Sequence, residues 1–223
     1  MNREPTGVPF WSPPDVEGAI GAVLAQIERR GVLAYPTETV YGFGGGIDHE
    51  SVEKLVALKR RPPAKPFLLL ISDSAMIERM GLHLSRSAAV LAAKHWPGPL
   101  TLVLKGGERR ISPRLRGPEG GIAVRWTSHS GLQRLITALG DPLTSTSANR
   151  PGVPPAMKAA DVLGQWHTEI ARGQLLLLDG GELNPSAPST VVDCTTRHLR
   201  VIRPGAIPAA VLRESCPELV GDQ

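Results

Sequence analysis

Apolar positions recur along this chain with two different periods. Across "SPPDVEGAIGAVLAQIERRG" (12–31), Val16, Ile20, Val23, Leu24 and Ile27 return every three or four residues, with Ala19 beside them. That spacing sets one stripe along a helix. Ser12 suits the N-cap, Pro13 the first turn, Asp15 the positive end of the helix dipole and Gly31 the stop. "VLAY" (32–35) then reads as a short buried strand. "DHESVEKLVALKRR" (48–61) predicts a second helix, capped by Asp48, with Val52, Leu55 and Val56 inward. "FLLLIS" (67–72) is apolar without alternation, as a strand covered on both faces would be. "SRSAAVLAAKHW" (85–96) is a helix stopped by Pro97, and "HSGLQRLITALG" (129–140) is another. Strands are predicted at "LTLVLK" (100–105), "GIAVRW" (121–126), "PLTSTSAN" (142–149), "QLLLLDGG" (174–181), "STVVDCT" (189–195) and "LRVIRPG" (199–205). Strands and helices interleave without repeats or linkers, so the expected fold is one α/β domain with a mixed sheet. It is expected over residues 12–213, with tails at 1–11 and 214–223.

Composition narrows the function class. The chain has 223 residues and 41% hydrophobic content, enough for a sizeable core, and 21% charged content argues against disorder. A net charge of +4 permits phosphate or RNA binding, while only 4% aromatics leaves few platforms for stacking bases. Cys194 and Cys216 lack metal spacing and read as free thiols of a reducing compartment. The N-terminus "MNREPTGVPFWSPP" has no basic-then-apolar signal, and no apolar run reaches the roughly 18 residues of a membrane span. A cytoplasmic protein away from membranes is expected.

"AYPTETVYGFGGGID" (34–48) carries a dense run of glycines after an apolar stretch. It is not a phosphate loop of a known type. It lacks Gly-x-x-x-x-Gly-Lys-Ser/Thr, and Ile47 breaks a Gly-x-Gly-x-x-Gly reading from Gly42. The glycines are expected to turn the backbone away from the sheet.

Polar clusters follow strands, where open α/β sheets place ligands. Thr37, Glu38 and Thr39 follow "VLAY", as a polar ligand site or a capped turn. "KRRPPAKP" (59–66) sets Lys59, Arg61 and Lys65 on a proline-stiffened segment, suited to a polyphosphate or to a solvated helix end. In "TSTSAN" (144–149), Ser145, Ser147 and Asn149 alternate on one face, with Thr144, Thr146 and Ala148 on the other. Ser189 and Arg203 lie on neighbouring strand candidates, and Arg203 needs an anion or a carboxylate partner if buried. A loop with Arg109, Arg110, Arg114 and Arg116 adds cations. The sequence has no Gly-x-Ser-x-Gly elbow and no zinc spacing. His95 reads as structural and His129 as a weak candidate at a helix start. Positioning and electrostatics on phosphates fit better than covalent chemistry.

In order, "YPTETVYGFG", "LKRRPPAKPF", "WPGPLTLVL", "GIAVRW", "TSTSANRPG", "STVVD" and "VIRPG" resemble the YrdC-like family of threonylcarbamoyl-AMP synthases, from about Gly31 to Gly205. The resemblance implies a twisted mixed sheet flanked by helices, with a concave, positively charged cavity. It implies formation of L-threonylcarbamoyladenylate and pyrophosphate from L-threonine, bicarbonate and ATP with Mg2+. Other proteins would then use the adenylate to modify tRNA next to the anticodon. By resemblance, Lys59, Arg60, Arg61 and Lys65 should contact ATP, with Ser147, Asn149 and Arg203. Lys59, Arg61, Ser147 and Asn149 carry the catalytic expectation. Thr37, Arg125, Ser145 and Ser189 should contact threonine. Leu70 and Gly121 depart from the family, where many relatives carry histidine and threonine. The alternatives are a module binding tRNA or double-stranded RNA without this activity, or a paralogue acting on another carbamoyl-type adenylate.

Overall fold

The computed structural model describes residues 7–62, 65–107 and 111–220. Its elements, in chain order, are β1 (Val8–Pro9), α1 (Pro13–Glu28), β2 (Val32–Tyr35), β3 (Gly42–Gly44), α2 (His49–Lys59), β4 (Leu68–Ile71), α3 (Ala75–Arg79), β5 (Leu82–His83), α4 (Arg86–His95), β6 (Leu100–Gly106), β7 (Ile122–Trp126), α5 (Ser130–Leu139), β8 (Leu143–Ser147), α6 (Ala159–Ala171), β9 (Leu175–Asp179), β10 (Thr190–Asp193), β11 (Arg200–Arg203) and α7 (Ala209–Ser215). The mixed α/β expectation holds. The strands form one 11-stranded sheet in the order β1-β9-β2-β3-β8-β4-β7-β6-β10-β11, with β5 beside β6.

The caps follow the sequence signals. Ser12 and Asp15 make a reciprocal capping box on α1, and Asp48 accepts from Ser51 N at 3.1 Å to start α2. The α1 stripe turns one step from the expected one. Leu24 is exposed, and Gln26 is buried in its place. Gln26 Nε2 donates to Val32 O at 3.0 Å and Gln174 O at 3.2 Å. The helix passes over the starts of β2 and β9, where an amide donor is worth more than an apolar side chain.

β3 departs further from expectation. The glycine run does not turn away from the sheet. It forms a strand, antiparallel to β2 and to β8, with Gly42 opposite Ser147. Glycine is needed because the neighbours stand so close: a Cβ on Gly44 would lie 1.6 Å from Thr144 O. Trp166 of α6, fully buried, packs edge-on against Phe43 of β3 at 4.9 Å. A buried aromatic of this size contributes about 1.5–3 kcal/mol.

Packing also reaches past residues 12–213. β1 pairs with β9, and Phe10 is buried. Beyond 213, Cys216 and Leu219 are buried and Val220 N donates to Leu199 O at 2.8 Å. Two loop arginines serve the fold: Arg114 pairs with Glu53 at 2.8 Å, and Arg116 donates to Gly106 O and Gly120 O. Arg109 and Arg110 lie outside the described residues.

Candidate active site

The ends of β2, β4, β8, β7, β10 and β11 and their loops surround a cavity of about 600 Å3. That is the size of pockets that enclose drug-sized ligands. The sequence-predicted residues Thr37, Arg61, Arg125, Ser145, Ser147, Ser189 and Arg203 all line it.

α2 delivers the first cation. Its C-cap, Arg60, takes the left-handed conformation with φ 46°. This turn separates Lys59 from Arg61. Arg61 enters the cavity wall, donating to Thr146 Oγ1 at 2.9 Å, Lys65 O at 2.6 Å and Pro66 O at 2.7 Å. Its guanidinium also stacks 4.6 Å from the Phe67 ring centroid. Burial pulls its pKa below the ordinary arginine value. These contacts aim a planar cation without using all its donors.

Lys59 does not face the open cavity. Its ammonium donates to Ser147 O at 2.9 Å, to Asn149 Oδ1 at 3.2 Å and to Asn149 O. Burial, then the nearby Arg61 charge, lowers its pKa to about 8. Asn149 Oδ1 also accepts from Ser147 Oγ at 2.6 Å, and its amide nitrogen donates to Val153 O. Lys59 therefore fixes Asn149, Asn149 Oδ1 accepts the Ser147 hydroxyl hydrogen bond, and the Ser147 oxygen keeps lone pairs free for a ligand. Lys59 and Asn149 sit behind the wall that Ser147 and Arg61 present.

Other expected ATP contacts are placed elsewhere. Arg60 lines a separate depression with Arg29, Arg30 and Arg150, because its left-handed backbone turns it away from Arg61. Lys65 is exposed and reaches the site through its carbonyl, on Arg61.

The other end of the cavity holds two more guanidiniums. Arg203 Nη2 donates to Ser189 O at 2.7 Å and Ser189 Oγ at 3.0 Å, and the Ser189 hydroxyl meets Thr101 Oγ1 at 2.9 Å. Burial, then the charge of Arg125, pulls the Arg203 pKa down. Arg125 is 4% exposed. Its Nε lies 3.6 Å from Glu38 Oε1, and neither atom has a hydrogen-bond partner. Thr37 lines the cavity but spends its hydroxyl locally: it accepts from Thr39 N and Val40 N and donates to Val40 O.

The departures have clear positions. Leu70 is fully buried as the cross-strand partner of Arg125, and Leu68 faces the cavity instead. A Cβ on Gly121 would stand 2.5 Å from Thr195 Cγ2 and 2.5 Å from Val103 Cγ1, so this chain has no room for threonine there without repacking. Sequence reasoning placed Thr146 on the far face, yet Arg61 reaches it and it lines the cavity. Thr39 also belongs to the wall, and Glu38 pairs with Arg125. "PTET" held both signals, though nothing in the string tells which way each side chain points.

No nucleophile with a base faces this cavity among the described residues. Cys194 is buried, and burial raises its thiol to about 12. His129 accepts from Leu132 N through Nδ1, as a helix cap. What the cavity presents is cations and hydroxyls, a set suited to an anionic ligand rich in oxygen.

The sequence model of the Sua5/YciO/YrdC family, described as "Telomere recombination", matches residues 25–205. The chain is 40% identical over 176 residues to a protein of Chromohalobacter salexigens named threonylcarbamoyl-AMP synthase, covering 78% of this chain and 91% of that one. It is 33% identical over 200 residues to a protein of the same name from Pyrococcus abyssi, covering 88% of this chain but 57% of that longer one. A solved structure of P. abyssi Sua5 complexed with L-threonine superposes with a TM-score of 0.85 at 28% identity, over 97% of this chain and 62% of that one.

Proposed function

This chain belongs to the Sua5/YciO/YrdC family, and we propose that its cavity makes L-threonylcarbamoyladenylate and pyrophosphate from L-threonine, bicarbonate and ATP. The observation that carries the reading is the cavity wall: Arg61, Arg125 and Arg203 with Ser145, Ser147 and Ser189, around about 600 Å3. An amino acid, a carbonate unit and a nucleotide all bring anionic oxygens, and the three guanidiniums of that wall supply donors for them.

The chemistry needs positioning more than covalent help. The neutral threonine amine attacks bicarbonate carbon, water leaves, and a carbamate results. A carbamate oxygen then attacks the α-phosphorus of ATP, and pyrophosphate leaves. Arg61 suits the charge building on the departing phosphates, and the turn held by Lys59 suits their other flank. Lys65 serves the site through its backbone carbonyl, which accepts from Arg61. Arg125 and Ser145 suit the threonine end, with Ser189 beside Arg203 between the two substrates. Arg60 has no part in the reading, since it lines the other depression.

Magnesium would enter with ATP. Among the described residues no group of three or more His, Cys, Asp or Glu side chains comes together to hold a metal ion. Phosphate oxygens and water would therefore supply most ligands, with Ser147 Oγ a fitting neutral oxygen. When bound, the ion offsets phosphate charge.

The adenylate would serve proteins that modify tRNA beside the anticodon. No helix among the described residues is long and apolar enough to cross a membrane. The deciding assay supplies purified protein with ATP, Mg2+, bicarbonate and L-threonine and follows pyrophosphate. Release should require threonine. Equal release with serine, or with no amino acid, would overturn the substrate.

A further inference from the structure

Arg125 is a buried cation without hydrogen bonds. It is 4% exposed, and no described residue accepts from it. A guanidinium left so in a protein interior is costly. Its ion-pair partner among the described residues is Glu38, whose Oε1 lies 3.6 Å from Arg125 Nε, also without a hydrogen bond. Glu38 is itself anchored. Its Oε2 accepts from Thr127 Oγ1 at 2.6 Å, and Thr127 is fully buried. Thr127 Oγ1 also accepts from His129 N at 3.2 Å, and Thr127 O accepts from Gln133 Nε2 at 2.7 Å. Glu38 is thus tied to the first turns of α5, a rigid element. It does not line the cavity, whereas its neighbours Thr37 and Thr39 do.

The arrangement has a direction. Glu38 comes nearest to Arg125 at Nε, the inner nitrogen of the guanidinium, and that atom is buried without a hydrogen bond. Arg125 lines the cavity, and Nε is its buried unpartnered nitrogen, which leaves the terminal fork as the part of the guanidinium able to meet a ligand there. The second cation nearby, Arg203, is repelled by Arg125 and uses Nη2 on Ser189. Without a carboxylate behind it, Arg125 would have no counter-charge and a like charge in front. We infer that Glu38, held by Thr127, is a positioning residue that aims the Arg125 fork at the carboxylate of the amino-acid substrate. This rests on the synthase reading. It makes the Thr127–Glu38–Arg125 relay the element that distinguishes an amino acid from its uncharged analogues, because a planar fork matches a carboxylate with two parallel hydrogen bonds.

The test is steady-state kinetics of the full chain with L-threonine and with L-threoninamide, alongside thermal unfolding. Glu38→Gln keeps the Thr127 hydrogen bond and removes the charge. It should raise the threonine KM about tenfold while kcat and the ATP KM stay within about twofold. The preference for threonine over its amide should shrink by a similar factor of about ten. Thr127→Val should move the threonine KM the same way by about threefold, and Thr127→Ser should restore it. A merely structural ion pair predicts something else: lower melting temperature with both Michaelis constants and the amide preference unchanged. That result, or a Thr127→Ser variant no better than Thr127→Val, overturns the inference while the synthase reading survives. Wild-type protein that releases no pyrophosphate with threonine overturns both. If Glu38→Gln fails to fold, the two Thr127 variants decide.

Discussion

Lys59 shows how one side chain can matter to a site it does not face. Its ammonium holds the turn from Ser147 to Asn149, and its pKa stands at about 8 against the usual 10.5. The sign of the pH effect differs between activity and stability. The unfolded chain keeps this proton up to 10.5, while the fold releases it near 8. Between those values the unfolded state binds more protons, so this group's contribution to stability rises with pH. Activity should run the other way. A neutral amine has one donor fewer for Ser147 O, Asn149 O and Asn149 Oδ1, and it no longer offsets phosphate charge. We predict that kcat/KM for ATP falls through a one-proton step near pH 8, without loss of folded protein. Lys59→Arg should lower the plateau and remove that step. An unchanged step in Lys59→Arg would assign it to another group. At the same scale, Arg125→Ala should damage threonine use more than ATP use, about 100-fold against about twofold in KM, because it removes a charge-assisted contact on one substrate. Equal effects on both substrates would move the threonine carboxylate elsewhere.

At the level of elements, legibility followed the strength of the local pattern. Continuous apolar runs such as "FLLLIS" and capped, periodic stretches such as 12–31 became β4 and α1, since burial and capping dominate locally. β3 was not legible. Glycine runs carry turn propensity, and only the crowding by Thr144 O and Tyr35 explains a strand of glycine. α6 and α7 went unread as well. α6 follows a proline-bearing loop, lacks a side-chain cap and breaks helical geometry at Trp166, so its period is interrupted. Polar alternation gave Ser145 and Ser147 correctly as cavity residues and misplaced Thr146, because strand parity says nothing about an arginine arriving from α2. These contrasts yield paired predictions. Gly44→Ala should cost about 3 kcal/mol or more, since its Cβ meets backbone rather than a movable side chain. Gly18→Ala, in the α1 interior with nothing within 4 Å of the new Cβ, should stabilise by about 0.5–1 kcal/mol. Urea midpoints of the two variants check both. A Gly44→Ala protein as stable as the parent would mean that β3 and β8 do not pair as closely as described.

Across the whole molecule, the site joins residues from Thr37 to Arg203, so its integrity depends on how distant strands are held together. The sequence order of the motifs was legible, and their pairing was not, because register and strand order arise from tertiary packing. One margin of the sheet is the edge formed by β10 and β11, which carries Arg203 and abuts Ser189. Among the described residues β11 has a full strand partner on one side alone, β10. The chain that follows meets β11's other side at Val220 and ties back to the start of β10 at Ala206 and Ile207. Val220 bridges Arg200, Ala206 N donates to Pro188 O at 2.8 Å, and Thr190 Oγ1 donates to Ile207 O at 2.7 Å. Leu212 on α7 is fully buried and Leu219 nearly so, with α7 packed on α4. Residues 206–220 therefore act as a clasp on the Arg203 strand. Leu212→Ala should cost about 2–4 kcal/mol in unfolding free energy, the loss of buried area plus a cavity that α4 cannot close. Its functional signature should be raised KM values for both ATP and threonine, since Arg203 and Ser189 lose the support behind their strands. Saturating substrates should recover part of the stability, because ligands that bind only the folded state stabilise it by mass action. Chemical denaturation with and without ATP and threonine measures both effects. An unchanged midpoint in Leu212→Ala would show that the clasp contributes nothing to the edge.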